Sequence, residues 1–106
     1  MTTVMEQVTF RLIDGVDMEA WQAAAQSLHG LVKGLPGFYY RSVTQDEQGL
    51  WYDTLYWQDM TAAEAAGEAF LQSEQGRTLM EFIQMDTVTR RLMPVVTEAM
   101  SCEEGS

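Results

Sequence analysis

The heptapeptide WYDTLYW at residues 51–57 decides the fold, because it reads as a β-strand with large apolar side chains on both faces. Side chains alternate along a strand, so Leu55 and Trp57 point to one face of the sheet and Tyr56 points to the other. The stretch VTFRLI at residues 8–13 has the same two-sided character. The helices of a small domain cover one face of its sheet. We therefore expect a second copy of the sheet to cover the other face, in a symmetric homodimer.

Periodicity and turn residues predict the remaining elements. Asp17 is placed to cap a helix that ends at the segment GLPG, residues 34–37. A second helical region starts at Thr61 with capping-box spacing, and it is interrupted or bent between Ser73 and Gly76. Pro94 cannot donate to a ladder, so we expect it at a sheet edge or a strand end. The predicted strands cover 6–13, 38–44, 50–57 and 87–96, and the predicted helices cover 18–33 and 61–84.

The order β-α-β-β-α-β is that of the split βαβ or ferredoxin-like unit. It predicts an α+β domain with a four-stranded antiparallel sheet and two helices on one face. Within that sheet, strands one and three are expected to be neighbours that run parallel. Residues 1–96 form the one predicted domain, and the acidic tail 97–106 is expected to be flexible.

Charge and composition exclude several classes of function. The chain has 106 residues and a formal net charge of −10, which argues against binding to nucleic acid or to an anionic membrane. No apolar stretch approaches the roughly 18 residues that read as membrane-spanning. There is no apparent signal peptide, and the single cysteine, Cys102, cannot form an internal disulfide, so we expect a cytoplasmic location. No metal-ligand cluster is recognisable by spacing.

Three segments carry a resemblance to a known family: VTFRL leading into GVD at residues 15–17, LPGF at 35–38, and Trp57 followed by MTAAEA at 60–65. In these segments the chain resembles antibiotic biosynthesis monooxygenases of the dimeric α/β barrel superfamily, over roughly residues 6–96. The resemblance implies that two sheets pack face to face across a homodimer. It also implies a cleft between the helices and the sheet, where related oxygenases bind aromatic or polycyclic substrates without a metal or flavin cofactor.

The resemblance does not extend to the haem-degrading members of the superfamily. Those proteins share an Asn on the first strand, and Trp and His on the second helical region. This chain contains no Asn, and residues 62–84 contain neither Trp nor His. Two hypotheses follow. The first is a cofactor-free oxygenase, and the second is a non-catalytic dimeric module that binds a small ligand or assists a pathway partner.

Candidate residues for the cleft come from helix one, strand two and the second helical region. His29, the single histidine, is the candidate general base, and the alternative is a half-exposed surface histidine. Tyr39 and Tyr40 are candidate ligand contacts that parity sends to opposite faces of the sheet, in an order the sequence leaves open. Phe70 and Met80 are candidates for an apolar pocket wall, and the alternative for both is ordinary core packing.

Charged residues inside the predicted strands are expected on the sheet face opposite the helices. Arg11 and Asp53 are expected to form an ion pair at the dimer interface, joined by Arg90 or Arg91 on the fourth strand, because an unpaired buried charge is unfavourable. The alternative is an anion site at the mouth of the barrel. Leu55 and Trp57 are expected to contribute apolar area to the same interface.

Overall fold

Four antiparallel strands form one sheet, and three helices pack on one of its faces. The computed structural model describes residues 2–99, so residues 100–106 of the expected tail lie outside the described part. The ferredoxin-like prediction is confirmed, with the sheet order β2-β3-β1-β4. In chain order the elements are β1 (Val4–Leu12), α1 (Met18–Lys33), β2 (Phe38–Gln45), β3 (Trp51–Trp57), α2 (Met60–Gln72), α3 (Glu74–Met80) and β4 (Ile83–Pro94).

The neighbouring strands β1 and β3 are antiparallel, so the expectation that they run parallel was wrong. The reason lies in the connections. The connection through α1 lets β2 run in the same direction as β1. The hairpin after β2 reverses the chain, so β3 is antiparallel to both. Thr9 lies beside Tyr52 in the resulting register, and Val8 lies beside Asp53.

Helix α1 covers one half of the sheet, and its predicted bounds are confirmed. The Asp17 side chain accepts a hydrogen bond from the Glu19 amide, which satisfies one of the free N–H groups at the helix start. Trp21 is 1% exposed, and its ring meets those of Phe10 and Trp51 edge to face, with centroids 5.6 and 5.4 Å apart. Such edge-to-face pairs add to the area term that holds the helix against the sheet.

The second helical region divides at Ser73, within the segment predicted to be interrupted. The Ser73 hydroxyl donates to the Phe70 carbonyl and accepts from the Gly76 amide, so it closes one helix and opens the next. A Cβ on Gly76 would lie 2.1 Å from the Phe70 carbonyl oxygen, so only glycine fits there. The start predicted from the capping box was wrong, because the cap is Asp59, which accepts from the Ala62 amide.

Strand β2 contains an irregularity at Tyr39 that resets its alternation. Phe38 lies beside Trp57 and Tyr40 lies beside Tyr56. Between these two pairs β2 advances by two residues and β3 by one, as in a β-bulge. As a result Phe38 and Arg41 both face the helices, although strict alternation would put them on opposite faces. Strand β4 has a second irregularity before Thr89, and it begins at Ile83 rather than at the predicted residue 87.

The sheet face opposite the helices is open within residues 2–99. Tyr40 and Tyr56 lie together on it, with ring centroids 6.3 Å apart. Leu55 and Trp57 do not lie on this face, so their assignment to the dimer interface was wrong. They are 6% and 1% exposed and belong to the core beneath the helices. No helix in the described part of the chain is long and apolar enough to cross a membrane.

Substitution of Leu55 by Asp should therefore unfold the protomer itself. The change removes a buried side chain and places a carboxylate where it has no partner, and we expect a loss of more than about 3 kcal/mol in the free energy of unfolding. Ala65→Asp is the control, because Ala65 is exposed on helix α2, away from both faces of the sheet. For it we expect a change of about 1 kcal/mol or less. Chemical denaturation measures the loss in the free energy of unfolding for both variants. Equal losses would contradict the placement of Leu55 in the core beneath the helices.

Candidate functional site

A cavity of about 390 Å³ lies between the three helices and the sheet face that they cover. Its walls are mainly apolar and include Phe10, Leu28 and Leu79. The predicted wall residues Phe70 and Met80 both line it. The volume is within the range that holds a small organic ligand, and the mixture of apolar walls with a few polar groups is typical of such sites.

The first polar group of the cavity is a buried ion pair between Arg41 and Asp53. Arg41 donates from Nε and Nη2 to the two carboxylate oxygens of Asp53, over 2.9 and 2.7 Å, in a two-pronged arrangement. Arg41 Nη1 donates to the Ala25 carbonyl oxygen at 2.7 Å, which ties strand β2 to helix α1. The Arg41 side chain is 1% exposed, so this pair is a fixed part of the cavity wall.

His29 lies on the far side of Arg41, outside the main cavity. It lines a second, shallower cavity of about 340 Å³ beside Trp21 and Trp51. Its Nδ1 is 3.1 Å from Arg41 Nη1. A guanidinium can only donate, so Nδ1 accepts and the ring proton is on Nε2. Burial, and next the positive charge of Arg41, lower the pKa of His29 below its usual value. This position does not suit the predicted general base of the main cavity.

The second polar group of the main cavity joins three residues around Glu6. One carboxylate oxygen accepts from the Trp57 indole Nε1–H at 2.9 Å, and the other accepts from Arg90 Nε at 2.6 Å. Arg90 Nη2 also donates to the Ala63 carbonyl oxygen at 3.3 Å. The Arg90 side chain is 39% exposed, so this ion pair reaches solvent whereas the Arg41–Asp53 pair does not.

Gly67 makes room for Arg90 against helix α2. A Cβ at this position would lie 2.9 Å from Arg90 Nη2 and 3.3 Å from Cζ. Glycine in a helix interior is unfavourable by about 1 kcal/mol relative to alanine. Gly67 therefore lowers the helix propensity of α2 but leaves space for the Arg90 guanidinium beside the helix backbone.

The cavity opens between helix α2 and the edge strand β4. Leu71 and Met85 are exposed at this opening, together with Val88. Glu64 and Glu68, one helical turn apart, line it on the side of α2. The irregularity in β4 places Met85 and Val88 there, because it interrupts the ladder between β1 and β4.

The structure separates several residues that the sequence grouped together. Arg11 does not pair with Asp53, so that prediction was wrong. Asp53 faces the helices and binds Arg41, whereas Arg11 faces the other side and its Nη1 donates to the Gln48 carbonyl oxygen. Arg91 is exposed on β4 and does not join an ion pair among residues 2–99. The predicted interface network is therefore absent from the described part of the protomer.

Tyr39 and Tyr40 are 57% and 56% exposed and neither lines the cavity. The expectation that one of them faces the helices was wrong, because the irregularity at Tyr39 gives that position to Arg41. Sequence reasoning missed Glu6 and Arg41, and it named Arg90 only as an alternative to Arg91 at the dimer interface. A signal was available for Arg41, because it is the single charged residue of β2.

Comparison with known proteins gives matches in structure only. Neither the protein-family profiles nor the curated proteins match the sequence. SnoaB from Streptomyces nogalater, a cofactor-independent oxygenase, is 14% identical and has a TM-score of 0.70, covering 98% of this chain and 100% of its own. The chain shares the fold of antibiotic biosynthesis monooxygenase-like proteins.

Two further solved structures support that statement. A proposed antibiotic biosynthesis monooxygenase from Chloroflexus aurantiacus is 14% identical with a TM-score of 0.64, over 93% of this chain and 98% of its own. A dimeric ferredoxin-like protein from an uncultured marine organism is 11% identical with a TM-score of 0.69, over 95% of this chain and 94% of its own. At these identities the comparison confirms the predicted resemblance at the level of the fold.

The ionisable side chains of the cavity floor are paired with one another. Across residues 2–99, no group of three or more His, Cys, Asp and Glu side chains is arranged to hold a metal ion. The carboxylates of the cavity floor face guanidinium groups instead of one another. The site as built can hold a mostly apolar molecule with one polar end on the sheet.

The lowered pKa of His29 predicts a loss of stability in acid. The unfolded chain takes up a proton near pH 6.5, before the folded protein does, so the free energy of unfolding should fall as the pH drops through that value. Urea titrations at several pH values would measure this effect. His29→Gln keeps an acceptor for Arg41 but does not titrate, and the difference between it and wild type isolates His29 from the many carboxylates. A pH-independent difference would contradict the lowered pKa of His29.

Proposed function

We propose that this protein is a cofactor-independent monooxygenase that oxidises a small or polycyclic aromatic substrate in the main cavity. The observation that carries the proposal is the Glu6–Arg90 ion pair, which lies at the boundary between an apolar cavity and solvent. The fold shared with SnoaB, itself a cofactor-independent oxygenase, adds support.

The reaction that suits this site starts from a fused-ring aromatic ketone with an activated methylene in the same ring, and it oxidises that methylene to a second ketone, >CH₂ + O₂ → >C=O + H₂O. The substrate supplies all four electrons that dioxygen takes up, and the second oxygen atom leaves as water. Glu6 accepts the first proton as the Arg90 guanidinium turns towards the substrate oxygen. Arg90 then stabilises the enolate, whose electron-rich ring reduces dioxygen. Apolar walls keep bulk water from the anion.

The alternative is a non-catalytic module that binds a small apolar ligand, and one observation favours it. Both oxygens of Glu6 and both oxygens of Asp53 already accept hydrogen bonds from other protein groups. A substrate proton would have to compete with these donors for the carboxylate oxygens. The alternative predicts that ligands bind in the cavity and that no oxygen is consumed.

Oxygen uptake with a three-ring aromatic ketone such as anthrone tests the reaction. We expect the protein to accelerate oxygen consumption and to incorporate one atom of ¹⁸O₂ into the product, measured by mass spectrometry. Glu6→Gln keeps an acceptor for Trp57 but is not a base, so turnover should fall about 10²-fold or more. Arg90→Met should also lower it. Arg91→Met is the matched control, because Arg91 is the next residue and points away from the cavity. Ligand binding without oxygen uptake would favour the non-catalytic module.

We also propose that two protomers associate through their open sheet faces. Tyr40 and Tyr56 form an aromatic cluster on that face, and no described helix covers it. The dimeric ferredoxin-like protein of the same fold supports this arrangement. A paired sheet would also place the two cavities on the outer sides of the dimer, each between its own helices and sheet.

The substitution Tyr56→Asp should separate this dimer and leave the protomer folded. It introduces a charge on the open face, where association would bury it without a partner. Light scattering at micromolar concentration should give a dimer for wild type and a monomer for the variant, with unchanged circular dichroism. Ala65→Asp makes the same charge change on the exposed side of α2 and should remain dimeric. A monomeric wild-type protein would refute the proposal.

A further inference from the structure

The charges that line the main cavity do not balance. Four carboxylates face it, from Glu6, Asp53, Glu64 and Glu68, against the two guanidinium groups of Arg41 and Arg90, which leaves a net charge of −2. We infer that the cavity selects an uncharged ligand and rejects permanently anionic ones. The inference rests on the proposed function only in taking this cavity as the ligand site, and it narrows the substrate class.

The arginines of the floor do not form a free anion site. Arg41 is engaged by both oxygens of Asp53 and by the Ala25 carbonyl oxygen, and it is almost completely buried. An anion that displaced Asp53 would leave a buried carboxylate without a partner, which is more unfavourable than the contact it gains. Arg90 is similarly engaged by Glu6. The two ion pairs therefore present dipoles to the ligand rather than net positive charge.

The opening of the cavity adds a repulsive field. Glu64 and Glu68 lie on the same side of helix α2, and both are exposed where the cavity meets solvent. Neither is in an ion pair within the described part of the chain, and the whole chain carries a formal net charge of −10. An anion that approaches this opening is repelled, at a distance set by the ionic strength.

The remaining surface of the opening favours an apolar molecule. Leu71, Met85 and Val88 are exposed there and continue the apolar lining outward. A ligand that fits both features enters as a neutral molecule and acquires charge only inside, by transfer of a proton to Glu6. That describes a phenol, an enol or an acidic aromatic ketone. Carboxylates, sulfonates and phosphates, which are ionised in solution, do not fit.

Two fluorescent probes with the same aromatic body test this inference. N-phenyl-1-naphthylamine is uncharged, and 8-anilinonaphthalene-1-sulfonate is its analogue with one sulfonate. We expect the uncharged probe to bind about tenfold more tightly at low salt, and the difference to shrink as salt is added. Equal affinities, or tighter binding of the sulfonate, would overturn the inference.

Variants at the opening locate the effect. Glu64→Gln with Glu68→Gln should raise the affinity for the sulfonate about fivefold and change that for the uncharged probe less than twofold. Asp14→Asn with Glu47→Gln makes the same change in net charge at exposed turns away from the cavity, and should change neither affinity more than twofold. An equal gain in this control would show a general charge effect and refute the local assignment.

The outcomes also separate this inference from the proposed reaction. Equal probe affinities together with oxygen uptake would overturn the charge selectivity and leave the oxygenase intact. Tighter binding of the uncharged probe without oxygen uptake would support the selectivity and remove the reaction. Failure of both probes to bind would overturn the charge selectivity, and together with a lack of oxygen uptake it would overturn the cavity as a ligand site.

Discussion

The pairing of charges on the helix-covered face of the sheet is the constraint on which the rest of the structure depends. The two acids, Glu6 and Asp53, lie on the central strands β1 and β3, and the two arginines lie on the edge strands. Neither arginine lies directly opposite its partner in the register, since Arg41 lies beside Leu55 and Arg90 lies beside Val8. Each pair therefore runs diagonally between strands. A slip of one residue in any strand would turn a charge to the open face and leave its partner buried and unpaired.

This constraint fixes the register and also supplies polar groups to the cavity wall. Both arginines donate to helix carbonyl oxygens, of Ala25 and Ala63, and aromatic rings pack at the two ends of the sheet. Trp57 belongs to both parts, because its ring packs on Phe38 and its indole nitrogen donates to Glu6. Trp57 therefore contributes both to the packing of the core and to the geometry of the site.

The sequence predicts the elements well because their signals are local. The bounds of α1 follow from the cap at Asp17 and from the segment GLPG at 34–37, and the break near Ser73 follows from the nearby Gly76. The site is harder to predict because it depends on register. One extra residue at Tyr39 exchanges the faces of β2, so alternation counted from Phe38 puts Arg41 on the wrong side. The predicted pair of Asp53 and Arg11 assumes parallel neighbouring strands and a shared face, but β1 and β3 are antiparallel and Arg11 lies on the opposite face from Asp53.

The two ion pairs differ in a way that assigns them different tasks. Arg41 and Asp53 are enclosed, and Arg41 is also tied to α1 through Ala25, so a rearrangement there would disturb the core. Arg90 reaches solvent, where water can solvate its guanidinium while the Glu6 bond opens. A group that exchanges a proton during each turnover has to be free to change partners, whereas a group that shapes the cavity does not. The cleft is therefore built with one fixed pair that holds the sheet and helix together and one pair that reaches solvent at its boundary, and the proposed proton transfer is assigned to the second.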